Sequence, residues 1–469
     1  MDKIITKIYE LLKDTKDLIA FEEQLRMYMY ETFALLLGKV LSQLDKAIKE
    51  EKQKEGWTVE KTDEKTIQFT FGAVRFSRTL MHDENGKPHY PLDELLGIRK
   101  YQRYSSFVEV KVAELANKSD YREVARMLDE WTAVQISHAT VGSIVKRVGK
   151  AQAQADREMV EELEEAASLP EGKKTDFLFA EADGVLVRAT KKKKHIEVCH
   201  GIMYEGWDKN GKRVSLRNPK YIMTTQPAEG FWQEFQASAA HHYSLENTQV
   251  VGNSDGGTGY GAEKFQEAFS QSNQPVLVQL DAYHIGQAIN RTFGWKKNKY
   301  KDLVKKAIKN RDLCAFTLAM DTFESTLEDE KKIEKVNEFR KYIVGHWDRI
   351  FDWRDKVENA PEDARGLGAM ESNQRQISFR MKRRGMHWSK EGAEAMVKVK
   401  QGILNGTLRE VYLQSQRRSK RKQREFKRTV RVSELLRQPA RPSVGAKKGS
   451  VSLYTAHSSA MGQLLKALR

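Results

Sequence analysis

The chain has 469 residues, of which 39% are hydrophobic and 9% aromatic, so wholesale disorder is excluded and about three domains are expected. Lysine and arginine number 81 against 65 acidic residues, which gives a formal net charge of +16. This excess favours a polyanionic partner, because basic side chains displace counterions from phosphates, although a solvated basic surface would carry the same charge. The two cysteines, Cys199 and Cys314, exclude a disulfide framework and a four-thiolate zinc site.

The sequence has no recognisable targeting or membrane segment. Its first residues lack the positive-then-apolar pattern of a signal peptide, and no stretch approaches 18 apolar residues. We therefore expect a cytoplasmic protein that makes no membrane contacts and can reach the nucleoid.

The N-terminal third is predicted to contain a long helix, a small sheet and a pair of helices. Over residues 16–54 apolar positions recur every three or four residues, which predicts an amphipathic helix that packs on its own chain or against a second copy. Alternation over 57–90, with a turn at Asn85-Gly86, predicts an antiparallel meander. Capped helices at 121–128 and 139–149 favour either a helix-turn-helix or an ordinary helical hairpin.

The second helix of that pair is basic on one side. Lys146, Arg147 and Lys150 point outward from it, and they would contact DNA if the pair is a helix-turn-helix. A further charged helix is predicted at about 150–167, followed by a linker at 168–174.

Strands and helices alternate after the linker, which predicts a mixed sheet with helices packed on it. The predicted strands are 176–189, 195–204, 219–225, 247–253 and 276–280, and the predicted helices are about 228–240, 260–270 and 284–293. Residues 296–365 are predicted to be wholly helical, as an insertion. The predicted division is a helix (1–56), a meander (57–100), a helix-turn-helix-like region (101–168), a first core part (175–295), the insertion (296–365), a final helical core part (366–410) and a basic tail (411–469).

Asp183 is the first candidate catalytic residue. It lies in the apolar strand Phe177–Val187, on the same face as Glu181. An acid there is costly unless it is paired or holds a cation, so Asp183 is either a metal ligand or a salt-bridged core acid.

Asp255 and Asp281 each follow a predicted strand. Glycines at 256, 257, 259 and 261 leave space around Asp255, which suits a hydrated divalent cation. A dinucleotide-binding unit is disfavoured, because these glycines do not follow its spacing and Asp255 would repel a pyrophosphate.

Glu371 is the third candidate acid, predicted to begin a helix. A lone glutamate on a helix is usually a surface residue, but this one precedes a dense basic stretch where phosphate and metal could meet. Two aspartates and a glutamate could hold two metal ions about 3.5–4 Å apart, which would activate a nucleophile and stabilise the leaving oxygen.

The order and spacing of six short motifs resemble those of bacterial DDE transposases, in particular the ISLre-type insertion sequences, which are distantly similar to Mutator-like elements. The motifs are Ala-Asp183-Gly-Val, Gly-Asn-Ser-Asp255-Gly, Leu-Asp281-Ala-Tyr-His284, Glu371-Ser, Arg383-Arg-Gly385 and Trp388-Ser389.

This resemblance implies an α+β multidomain protein whose RNase H-like mixed α/β core is interrupted by a helical insertion. It implies cleavage at transposon ends and strand transfer through the freed 3′-hydroxyl, with two Mg²⁺ or Mn²⁺ ions as cofactors. The implied ligands are Asp183, Asp255 and Glu371, with Asp281 as the alternative second aspartate, and Glu181 and His284 support them. A core histidine is the alternative interpretation of His284.

The implied partners are double-stranded DNA, as terminal inverted repeats and as target, and further copies of the chain in a synaptic complex. Basic stretches supply the predicted DNA contacts, including the segment 414–431, which has nine basic residues and one acid. Besides the three residues of the helical pair, the predicted DNA contacts are Arg375, Arg380, Lys382, Arg383, Arg384, Trp388, Arg417, Arg418, Lys420 and Arg421. An RNase H-like nuclease without strand transfer and a non-enzymatic DNA-binding regulator are the two alternatives.

Overall fold

The structure, a computed structural model, describes residues 2–166, 172–191, 194–257, 259–296, 298–383 and 385–416. Within these ranges the fold is mixed α+β with several sheets, and the predicted α+β class is confirmed. No helix in the described ranges has the length and apolar character needed to span a membrane.

The N-terminal region is a three-stranded antiparallel sheet with one long helix packed on it and a short helix beside the long one. Its elements are α1 (Asp2–Asp14), α2 (Leu18–Lys54), β1 (Thr58–Phe69), β2 (Gly72–His82) and β3 (Pro88–His89). The predicted long helix and meander are thus confirmed, and the predicted turn contains Gly86, whose φ is +70°. Helix α2 lies so close to β2 that a Cβ on Gly38 would stand 2.4 Å from the carbonyl oxygen of Arg75.

Four helices follow: α3 (Pro91–Leu95), α4 (Ser106–Ala116), α5 (Tyr121–Trp131) and α6 (His138–Glu165). The predicted caps are confirmed, since Asp120 accepts from the backbone at the start of α5 and Ser137 from that of Thr140 in α6. The predicted end at residue 149 is wrong. Helix α6 has 28 residues in all and runs through the separately predicted helix at about 150–167, because Gly149 lies against another helix and does not end its own.

The central sheet has five strands, which in chain order are β5 (Phe177–Arg188), β6 (His195–Tyr204), β9 (Lys220–Thr224), β11 (Gln249–Ser254) and β12 (Leu277–Leu280). Their spatial order across the sheet is β12-β11-β5-β6-β9. Strand β6 is antiparallel to both of its neighbours, whereas β5, β11 and β12 are parallel. All five strands were predicted within three residues at each end.

Four two- to four-residue strands in this region were not predicted. They form a parallel pair, β4 (Lys173–Lys174) with β10 (Tyr243–Ser244), and a hairpin, β7 (Trp207–Asn210) with β8 (Arg213–Leu216). They are too short for an alternating pattern to be recognised.

Helices cover both faces of the central sheet. One face packs against α7 (Ala228–His242) and α8 (Ala262–Ala268), and the other belongs to a core shared with α4, α5, α6, α13 (Ala369–Met381) and α14 (Lys390–Leu404). Lys398 of α14 is fully buried, and its ammonium lies 2.6 Å from Asp156 of α6 and 2.5 Å from Glu234 of α7. This paired charge ties three helices together, because a buried ion is tolerated only with its partners.

Between β12 and α13 lies a helical segment that includes the predicted insertion. It contains α9 (Ala282–Phe293), which was predicted as part of the sheet region, and α10 (Lys299–Lys309), α11 (Leu313–Glu324) and α12 (Glu330–Gly345); the four helices share an apolar core of their own. The prediction that 296–365 is wholly helical is wrong at its end. Beyond α12 that stretch has only the two short 3₁₀ helices Trp347–Arg349 and Trp353–Lys356.

Candidate metal centre

The carboxyl ends of β11 and β12 meet the middle of β5 at one edge of the central sheet. A cavity of about 10 Å³ opens there, against the first turn of α13. Its lining residues are Ala182, Asp183, Asn253, Ser254, Asp255, Asp281, His284, Met370 and Glu371. The structure therefore gathers the three predicted ligands, the alternative aspartate and the predicted histidine around one small space.

Asp183 lies on β5 in the midst of other carboxylates. Burial, and after it the negative charges of Asp255 and Asp281, raise the pKa of its carboxyl to about 6. Its Oδ1 accepts a 2.6 Å hydrogen bond from the backbone of Gly184, and its Oδ2 accepts one from Nε2 of Gln374. This carboxylate is thus held in a place where negative charge is poorly compensated.

Asp255 begins the loop after β11. Its carboxylate accepts a 2.8 Å hydrogen bond from the backbone of Gly257, while its own carbonyl accepts a 3.0 Å hydrogen bond from the hydroxyl of Tyr342 in α12. Gly256 has a φ of +77°, and a Cβ there would lie 3.1 Å from the ring of His346. The helical insertion therefore supports the loop that carries Asp255.

Asp281 caps helix α9 and is 6% exposed. It accepts 2.7 Å and 3.2 Å hydrogen bonds from the backbone of Tyr283 and from Nδ2 of Asn253. Both Asp255 and Asp281 line the cavity, so the geometry leaves either of them able to serve as the second aspartate.

Glu181 anchors the helix that carries Glu371. Its side chain is fully buried and accepts hydrogen bonds from the hydroxyl of Tyr204 at 2.7 Å and from Nδ2 of Asn253 at 3.2 Å. Three backbone N–H groups at the start of α13 also donate to it at 3.0–3.2 Å; they belong to Gly368, Ala369 and Met370. An acid at a helix N-terminus satisfies the unpaired donors and the helix dipole together, so Glu181 fixes the position of the first turn.

The donor set fits hard divalent cations. The cavity offers carboxylate oxygens from several elements, and Oδ1 of Asn253 is buried there without a hydrogen-bond partner. Within the described residues, however, no three His, Cys, Asp or Glu side chains are already arranged to ligate a metal ion. The aspartates are engaged in the hydrogen bonds described above, and the cavity has room for about one water molecule.

The basic residues of α6 are engaged within the chain. Lys146 and Lys150 each lie 2.7 Å from Glu391, and Arg147 pairs with the buried Glu109. Their predicted DNA contacts therefore compete with intramolecular ion pairs.

Two predicted DNA contacts on the late basic stretch are wrong. Arg380 is 2% exposed and donates to the carbonyl of Ala116, and Trp388 is 6% exposed with its indole N–H donating to the carbonyl of Met381. Both belong to the core beside α13, because the chain folds back there onto β5.

The remaining predicted DNA contacts are either exposed or lie outside the described residues. Arg375, Lys382 and Arg383 are exposed. Outside the described residues lie Arg384, Arg417, Arg418, Lys420 and Arg421.

Sequence reasoning missed three residues beside the carboxylates. Asn253 could have been noticed as a polar residue within an apolar strand, and Gln374 as the residue one turn after Glu371. Tyr342 gives no local signal, because its contact with Asp255 spans 87 residues.

The chain has clear relatives. The model of the uncharacterised protein family UPF0236 matches residues 11–417. A Streptococcus gallolyticus protein named "UPF0236 protein in vanSb 3′ region" is 33% identical over 464 residues, 99% of each chain. Two UPF0236 proteins of Caldanaerobacter subterraneus subsp. tengcongensis are 27% and 26% identical over 385 residues, 79% of this chain and 75% of each relative. The name of the second joins eleven numbered designations. With its family model spanning most of its length, this chain belongs to the uncharacterised protein family UPF0236.

Proposed function

We propose that this protein is a DDE transposase that cleaves DNA at transposon ends and joins the freed ends to target DNA. The observation that carries the proposal is the convergence of Asp183, Asp255 and Glu371 on one cavity. These acids come from three separate elements and are up to 188 residues apart in the chain. A structural role for each acid alone would not require them to meet.

The strand arrangement supports the same proposal. Counted along the chain, the central strands lie in the order fifth, fourth, first, second, third, with the second strand alone reversed. An RNase H-like core, as the resemblance implies it, would have this strand order, so the order supports the proposal. The resemblance to transposases places the two aspartates on its first strand and after its fourth, where Asp183 and Asp255 lie.

In the proposed reaction, the residues in and beside the cavity have different roles. Asp183, Asp255 and Glu371 would hold two Mg²⁺ or Mn²⁺ ions, with Asp281 as the alternative to Asp255. When bound, such ions activate the attacking hydroxyl and stabilise the leaving oxygen. Glu181 keeps the first turn of α13 in place, and His284, which lines the cavity, would contact the DNA backbone or support a ligand.

The names of the relatives also favour a mobile element. One of them joins eleven designations from a single strain, and repeated copies within one genome are what transposition leaves behind.

An assay with labelled oligonucleotides tests the proposal. With Mg²⁺, the chain should nick the ends of the element that encodes it and transfer them to a second duplex, and EDTA should stop both steps. Hydrolysed ends without joined products would indicate an RNase H-like nuclease instead. Equal DNA binding with and without Mg²⁺, together with no cleavage, would favour a DNA-binding regulator.

Gln374 gives a separate prediction, because its amide occupies Oδ2 of Asp183. Replacing Gln374 by alanine should free that oxygen and lower the Kd for Mn²⁺ severalfold, measured by the loss of the free-ion signal in electron paramagnetic resonance. Gln376→Ala is the matched control, since its amide contacts Asn373. Weaker Mn²⁺ binding by Gln374→Ala would show that this amide assists the ion.

A further inference from the structure

Helix α2 has two apolar faces, of which only one is covered. The covered face packs on the β1–β2 hairpin; its buried residues are Ala34, Gly38 and Leu41, together with Asp45, which accepts hydrogen bonds from Thr79. On the other side, roughly 140° around the helix axis, four large side chains are 47–55% exposed. They are Met29, Phe33, Leu36 and Val40.

The exposed face follows the spacing of a helix–helix seam. Alternate steps of four and three residues join its members along almost the whole helix, which is the heptad spacing that lets side chains of two helices interlock. We call these positions the outer stripe; they are Glu22, Arg26, Met29, Phe33, Leu36, Val40, Gln43, Ala47, Glu50 and Lys54.

We propose that the outer stripe is the interface with a second copy of this chain, with the two α2 helices antiparallel and crossing near residue 38. In this register Leu36 faces Val40 of the partner subunit, Phe33 faces Gln43 of the partner subunit, and Met29 faces Ala47 of the partner subunit. The apolar residues thus lie at the centre, where the two helices bury them together.

Charge complementarity favours the antiparallel orientation of the two α2 helices. At the ends of the stripe, the same register places Arg26 opposite Glu50 of the partner subunit and Glu22 opposite Lys54 of the partner subunit. Two-fold symmetry doubles both pairs. A parallel arrangement would instead place each charge opposite its own copy, which is repulsive.

These charges do not satisfy one another within the chain. Arg26 and Glu50 are 24 residues apart on one continuous helix, and a rise of about 1.5 Å per residue separates them by roughly 36 Å. None of the four charged stripe residues takes part in a salt bridge among the residues that the structure describes.

Sedimentation of the full chain, without DNA or metal, tests the proposal independently of the transposase activity. The wild-type chain should form a dimer at micromolar concentration, and the double variant Leu36→Glu/Val40→Glu should raise the dimer Kd more than roughly 100-fold, since it buries unpaired charges. The matched control is Leu35→Glu, which lies on the same helix away from the stripe, is 68% exposed in the wild type and should leave the dimer intact. A monomeric wild-type chain, or a dimer that persists in the double variant, would overturn the proposal.

A charge exchange tests the antiparallel register. Arg26→Glu should weaken the dimer roughly tenfold, and adding Glu50→Arg should restore it, because the reversed pair again carries opposite charges across the interface. Failure of the second change to restore the dimer would overturn the antiparallel arrangement. Far-ultraviolet circular dichroism verifies that every variant keeps its helices.

Discussion

Asp183→Asn is expected to lower DNA end cleavage by at least roughly 10³-fold while leaving the binding of DNA ends unchanged. The substitution keeps the shape of the side chain and its contact with Gln374, but it removes the charge that would hold a divalent ion. Cleavage by gel assay and end binding by fluorescence anisotropy measure the two effects. Cleavage at the wild-type rate would rule Asp183 out as a ligand.

The same variant is expected to be more stable than the wild type when metal is chelated. The folded-state pKa of Asp183, about 6, lies above its ordinary value of 3.8, so the folded protein loses stability as the pH rises through this window. At pH 7 this cost is at most about 3 kcal/mol, and less because the group is partly exposed. Thermal unfolding in EDTA should show a gain of a few degrees at pH 7 that disappears at pH 4.

The control for that measurement is Asp176→Asn, because Asp176 is exposed just before the same strand. It should leave the unfolding temperature unchanged at both pH values. A lower unfolding temperature of Asp183→Asn at pH 7 would show that the charge of Asp183 does not destabilise the folded protein.

Glu181→Ala is expected to have the largest effect on stability, about 3–5 kcal/mol. It would leave Tyr204, Asn253 and the three N–H groups at the start of α13 without their acceptor in a fully buried place. Glu181→Gln retains one acceptor oxygen but loses the charge at the helix N-terminus, so a loss of about 1–2 kcal/mol is expected. Chemical denaturation measures both variants.

Glu371→Gln separates this anchoring from catalysis. It leaves every contact of Glu181 in place, so the free energy of unfolding should change by less than about 0.5 kcal/mol while cleavage is lost.

The outcome that would contradict the anchoring role concerns Glu181→Ala. If this variant unfolds at the same denaturant concentration as the wild type, Glu181 does not fix the position of α13.

Helices and strands whose apolar residues recur with a clear period could be predicted from the sequence. The apolar spacing of α2 and the strand-like pattern of β5 placed the ends of both elements within a few residues of where they lie. Gly149 shows where such reasoning fails. It was taken as the end of a helix, but a Cβ there would lie 2.4 Å from the carbonyl oxygen of Ala395, so this glycine serves close helix packing.

The acidic residues of the site could be predicted from the sequence, whereas the residues that position them could not. Asp183 and Asp255 stand out locally, as an acid within an apolar strand and an acid among glycines. Arg380 was misplaced on a DNA surface, because its burial against Ala116 depends on contacts between distant segments. The contact of Tyr342 with Asp255 likewise arises only when the insertion folds back.

Mn²⁺ binding followed by electron paramagnetic resonance tests the central claim most directly. The wild-type chain should bind two Mn²⁺ ions whose spins couple, because Asp183, Asp255 and Glu371 would hold them as a two-metal site does, with the ions about 3.5–4 Å apart. Each of Asp183→Asn and Glu371→Gln should abolish the coupled signal. A wild-type chain that binds no Mn²⁺, or a coupled signal that survives in Glu371→Gln, would contradict the account.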